Sequence, residues 1–143
     1  MLGMKKYEKK YIAACRARVE ANLGAYRKQV GKARSKDFEA RYFPDQVLLL
    51  DHMFVHGLTG IEGKDGNARD EVRVLCHSIL LNQGMLQVDK RAGMPSSAGS
   101  GIKLSPEKSV LKLAAGDEIR LSDADFMRLS RAFFEEIAKR YAG

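Results

Sequence analysis

No apolar stretch in these 143 residues approaches the roughly 18 that a membrane-spanning helix requires. A secretory signal is missing as well, since Lys5, Lys6, Lys9 and Lys10 stand where its apolar region would have to lie. The expected setting is therefore the cytoplasm, with no membrane span. Cysteine is scarce: Cys15 and Cys76 each sit among apolar residues on a predicted helix, which fits a small buried hydrophobe better than a disulfide or a reactive thiol. Acidic residues are nearly absent from the first quarter. Up to Lys36 only Glu8 and Glu20 stand against eleven Lys or Arg, whereas the remainder has fourteen bases and sixteen acids. The net charge of +7 thus comes entirely from the N-terminal part. A basic segment of this kind suits nucleic acid, an acidic protein or an anionic surface, and it equally suits the solvated face of an ordinary helix.

Sequence patterns that fix a reaction are missing too. The spacing Gly60, Gly63, Gly66 has neither the Lys-Ser/Thr of a phosphate-binding loop nor a preceding strand. Asp65, Asn67 and Asp70 lack the length and terminal glutamate of a calcium loop. No Gly-x-Ser-x-Gly elbow occurs, and no helix-turn-helix, zinc-finger or RNA-binding sheet signature accompanies the basic charge.

What is present reads as one mainly α domain, with 45% hydrophobic and 30% charged residues in a length that can bury a core. Four principal helices are expected, over about 5–33, 44–58, 68–83 and 123–141. Ile12, Cys15, Val19, Leu23, Tyr26 and Val30 recur every three or four residues and predict a long basic N-terminal helix. At 1.5 Å per residue it would reach roughly 40 Å, so part of it is expected to project toward a partner or a second copy. Gly31 marks a break near its end.

Pro44 suits the first position of the second helix, where its missing N–H has no intrahelical partner. That helix, through His56, is apolar on nearly every face. The third has apolar Val72, Leu75, Cys76 and Ile79, with Val74, Leu80 and Leu81 widening the stripe, and Gly84 closes it. Joined by a short Gly-rich connection, the two predict a central antiparallel hairpin. A small irregular or β insertion follows. Ile102-Lys103-Leu104 and Ile119-Arg120-Leu121 could pair as a minimal ribbon; a short helix from Ser105 to Leu111 and a hairpin of 109–113 with 118–121 compete for the intervening chain. Ser122 and Asp125 then form the capping box of the last helix, whose core stripe is Phe126, Leu129, Phe133, Ile137 and Tyr141.

Two groups of residues are candidate sites. His52 and His56 are four apart and can share a helix face, and Asp51, Glu62 and His77 could complete a metal site. No Glu follows His52, so the metalloprotease pattern is absent, and the ordinary alternative is a histidine at a helix C-terminus or at the core edge. Arg69, Arg73 and His77 also share one face, with Asp70 and Glu71 placed to pair locally. The second group, Lys6, Lys9, Lys10, Arg16, Arg27 and Lys28, is a surface for phosphate or another anion, interleaved with Tyr7, Tyr11 and Tyr26. The expected role is a non-enzymatic binding or assembly protein with no cofactor, homo-oligomeric through amphipathic helices. A nucleic-acid binder working through the basic helix and a metal-dependent enzyme are the alternatives.

Overall fold

The structure is a computed structural model, and it describes residues 7–58, 68–87 and 109–141. Among the described residues there are four helices: α1 (Lys9–Val30), α2 (Lys36–Leu58), α3 (Ala68–Leu81) and α4 (Asp123–Tyr141). No helix among the described residues is long and apolar enough to cross a membrane. The mainly α expectation therefore holds. Ile102-Lys103-Leu104 and most of the competing short helix lie outside the described residues.

α1 does not project. Ile12, Cys15, Val19 and Leu23 are buried along its length, and its packing partner is α4. Ahead of its first turn the Tyr7 hydroxyl donates to the Phe54 carbonyl at 2.6 Å, and the Tyr7 ring meets Phe54 edge-on with centroids 4.9 Å apart. The Tyr11 hydroxyl donates to the Met53 carbonyl at 2.5 Å. These bonds fasten the start of α1 to α2. At the other end Gly31 takes φ +50°, a left-handed value that a side chain would strain, and its N–H closes on the Arg27 carbonyl.

α2 begins eight residues before Pro44, which lies inside it. Ser35 starts the helix: its hydroxyl accepts the Phe38 N–H at 3.2 Å and its carbonyl accepts the Glu39 N–H at 3.0 Å. Asp37 and Glu39 then place negative charge in the first turn. An interior proline loses one backbone bond and ordinarily destabilises a helix by about 3 kcal/mol. Here the turns before it are held by tertiary contacts, because Phe43 is buried against Tyr26 and Phe126, and Tyr42 stacks on Tyr26.

The central hairpin is antiparallel. Asp51 pairs with Arg73 while Val47 accepts from the Cys76 thiol, so positions fall along α2 as they rise along α3. Val47, Leu50, Phe54, Val72, Leu75 and Cys76 fill the seam. Cys15 and Cys76 are both free and buried. Leu80 and Leu81, expected to widen the apolar stripe of α3, are 66% and 48% exposed. The end of α3 turned inward is the charged one, with Arg69, Asp70 and Glu71 all buried.

After α3 the chain turns at Gln83 and Gly84, and Gln87 is bound on both backbone groups by the buried Ser78 hydroxyl. Met85 forms an antiparallel bridge with Glu118, supported by Leu86 N–H to Asp117 carbonyl at 2.7 Å and Ile119 N–H to Gly84 carbonyl at 2.8 Å. Among the described residues, the segment around Ile119 therefore pairs with the chain leaving α3 instead of with 109–113. Leu86, Ile119 and Leu121 seal that edge of the core.

α4 follows its expected pattern over the described side chains, that of Tyr141 lying outside them. The Asp125 N–H donates to the Ser122 hydroxyl at 3.1 Å and the Ser122 N–H donates to the Asp125 carboxylate at 3.0 Å, completing the capping box. Phe126, Leu129, Phe133 and Ile137 are buried, joined by Phe134, while Arg128, Arg131, Glu135 and Lys139 stay exposed.

Candidate functional site

The hairpin register sets His77 apart from His52 along the helix axis. His77 lies level with Gln46 and Val47, which sets it about 8 Å along the axis from His52, five or six residues away. His52 is exposed and His77 half-buried, and the His56 side chain and Glu62 lie outside the described residues. Among the described residues no group of three or more His, Cys, Asp or Glu stands where it could hold a metal ion. Cys76 is no nucleophile: burial, then the nearby Asp51 charge, push its thiol far above the ordinary value.

Most acids around the core are committed to partners. Asp51 receives Arg73 at 3.0 Å and lies 3.4 Å from the buried Arg69. Glu71, read from sequence as a first-turn acid of α3, is a buried anchor for a segment 38 to 40 residues away. It accepts the Ser109 hydroxyl at 2.9 Å and the Val110 and Leu111 N–H groups at 2.8 and 3.2 Å. Ser109 is also bonded by the Lys112 N–H, which tightens the wrap.

Glu39 and Asp123 form a second buried pair where α1 ends and α2 and α4 begin. Arg34 donates to both, reaching Glu39 at 3.1 and 3.3 Å, and Arg27 Nε donates to Asp123 at 2.7 Å. The Tyr26 hydroxyl adds a bond to Glu39 at 2.9 Å. Burial alone would raise both carboxyls, but the bonds from Arg34 and Tyr26 hold Glu39 below its ordinary range and those from Arg27 and Arg34 do the same for Asp123. Burial, then the Glu39 bond, push the Tyr26 phenol up to about 12. A depression of about 410 Å³ at this corner is lined by both arginines and the start of α4. It is not a vacant anion pocket, because Asp123 already supplies the anion.

The basic residues divide accordingly. Arg27 is tied to Asp123 and Arg16 to Glu20 at 3.4 Å, and Lys6 lies outside the described residues. Lys9, Lys10 and Lys28 are exposed with no acidic partner among the described residues, and Arg18, Lys32, Lys36 and Arg41 share that condition. Lys10 and Lys28 are eighteen residues apart, five full turns, so they share the outer face of α1 about 27 Å apart.

No family model, curated protein or solved structure matches this chain. Its own geometry therefore carries the functional argument. Tyr7 and Tyr11, interleaved with the lysines in sequence, have their hydroxyls bonded to α2 carbonyls, whereas Tyr26 joins an aromatic group at the α1–α2 corner. There Phe38 stacks on Tyr42 with centroids 5.3 Å apart and lies nearly parallel to Tyr26 at 6.3 Å, yet remains 52% exposed. From sequence, Phe38 reads only as the start of a possible helical turn, Phe38 to Phe43, ahead of Pro44. Only the burial of its neighbours marks its exposure as distinctive.

Proposed function

We propose that this chain is a non-enzymatic cytoplasmic protein that binds nucleic acid electrostatically through α1 and the α1–α2 corner. One observation carries the proposal: the exposed cations of that surface lack acidic partners among the described residues, while two acids of the corner, Glu39 and Asp123, are buried against their own arginines and the exposed Asp37 is paired with Arg120 at 3.3 Å. The outward charge is thus more positive there than the sequence average. No base-reading helix or sheet accompanies it, which favours backbone contacts with little sequence preference. The two buried free thiols suit a reducing compartment. Titration of a mixed-sequence oligonucleotide at low salt tests the proposal. Binding that weakens steeply as salt rises is expected; no binding at about 50 mM salt excludes it.

Self-association is a second reading, favoured by a different surface. Leu80, Leu81 and Met85 are exposed, and the chain from Val74 to Val88 contains no Asp, Glu, Lys or Arg. A segment that carries no cation of its own is where two copies with net charge +7 can approach. The apolar stripe of α1 is already covered by α4, so this patch replaces it as the assembly surface. Sedimentation of the chain at micromolar concentration should show a dimer that Leu81→Lys dissociates. A monomer throughout removes this reading.

A further inference from the structure

We infer that the ring group Phe38, Tyr42 and Tyr26 is a stacking platform for unpaired bases, so that the nucleic acid held by the basic surface is single-stranded. The inference rests on the electrostatic reading above and adds the ligand's form. Three observations converge on it. First, the rings are nearly parallel, with interplanar angles of 11° to 19°. Second, the group is braced from behind: Tyr26 and Tyr42 each meet buried Phe43 edge-on at 5.1 Å, and the Tyr26 hydroxyl is bonded to Glu39. A base arriving on Phe38 therefore meets a surface whose rotamers are already fixed, which removes the ordering cost of building one. Third, cations without an acidic partner among the described residues lie near the exposed ring in the chain, Lys36 two residues before it, Arg41 three after it and Lys28 two after Tyr26, while of the adjacent acids Glu39 is buried and Asp37 is paired with Arg120.

The ordinary account of Phe38 is a helix-surface pair with Tyr42 at i,i+4, which stabilises a helix only slightly. That account explains the stacking and leaves the flanking cations unused. Exposed aromatic faces beside backbone-neutralising cations are what a single strand needs, because its bases are free to stack whereas those of a duplex are already stacked on one another. Base–aromatic stacking is also indifferent to sequence, in keeping with the lack of a base-reading element.

The test compares three probes by competition or anisotropy: a mixed-sequence single strand about 20 nucleotides long, the same sequence as a duplex, and heparin, a polyanion without bases. The chain has no Trp, so emission from its five Tyr, two of them in the platform, gives a second readout as bases stack and quench it. The wild-type chain should prefer the single strand over the duplex and show this quenching. Phe38→Leu should lower single-strand affinity by about 5-fold or more, leave heparin affinity and the salt slope unchanged, and Phe38→Tyr should restore binding. Equal affinity for strand and duplex, with Phe38→Leu silent and salt-dependent binding intact, overturns the platform while sparing the electrostatic reading. A Phe38→Leu loss of equal size for all three probes shows a structural role and also overturns it. If the wild-type chain binds none of the probes, both proposals fall together.

Discussion

The carboxylates around the core and the cations on α1 meet opposite fates. Glu39, Glu71 and Asp123 are buried and each accepts several hydrogen bonds, whereas Lys9, Lys10, Arg18 and Lys28 are exposed and unpartnered among the described residues. A buried carboxylate is costly unless its lone pairs are satisfied, so each of these acids fixes a distant segment in place. An exposed lysine costs little and fixes nothing. The same division that makes the acids structural leaves the outer surface of α1 positive. These three acids hold distant segments together, and these four cations of α1 face outward.

That contrast can be broken most severely at Glu71. Glu71→Ala leaves the Ser109 hydroxyl and the Val110 and Leu111 N–H groups without their acceptor, and urea unfolding should show a loss of about 3 kcal/mol. A loss under about 1 kcal/mol would mean that the 109–111 segment finds water instead.

Asp123→Ala should cost less, about 2 kcal/mol, because Arg27 and Arg34 are half-exposed and can return to water. Its pH signature is more telling. The folded-state carboxyls of Asp123 and Glu39 lie below their ordinary values of 3.8 and 4.5. Their stabilisation is therefore fully present above those values, declines as the pH falls through them, and disappears only below the depressed folded values. The wild-type advantage over Asp123→Ala should accordingly be constant from neutral pH down to about 5 and shrink in stronger acid. An advantage that grew on acidification would reverse the assigned sign.

The smallest stability effect belongs to the outer face. Lys10→Glu with Lys28→Glu should change unfolding stability by no more than about 0.5 kcal/mol, as expected of exposed positions without partners. A large loss there would reveal structural roles for those lysines and blur the contrast.

Sequence alone disclosed the features that are local. The Ser122–Asp125 capping box and the Phe126, Leu129, Phe133, Ile137 stripe need only neighbours within a few residues, and both are present. Features set by distant partners were hidden. Pro44 pointed to a helix start, yet Ser35 caps the helix and contacts from α1 and α4 hold the turns before the proline. Glu71 looked like a helix-dipole acid because its true partners lie some 40 residues downstream. Leu80 and Leu81 were assigned inward by periodicity, although the inward-facing end of α3 is the charged one. At the candidate site, the basic excess was legible from composition, but which cations remain unpartnered depends on Asp123 and Glu20. The platform residue Phe38 had no sequence signal that separates it from a core aromatic.

The salt dependence of oligonucleotide affinity tests the central division most directly. For a single strand, log K should fall against log salt with a slope of about −0.7 for each phosphate neutralised, measured from about 50 to 200 mM. With Lys10→Glu and Lys28→Glu together, the slope should become shallower by about 1.4 while unfolding stability holds. An unchanged slope and affinity in that variant would contradict the assignment of the outer face of α1 as the ligand surface.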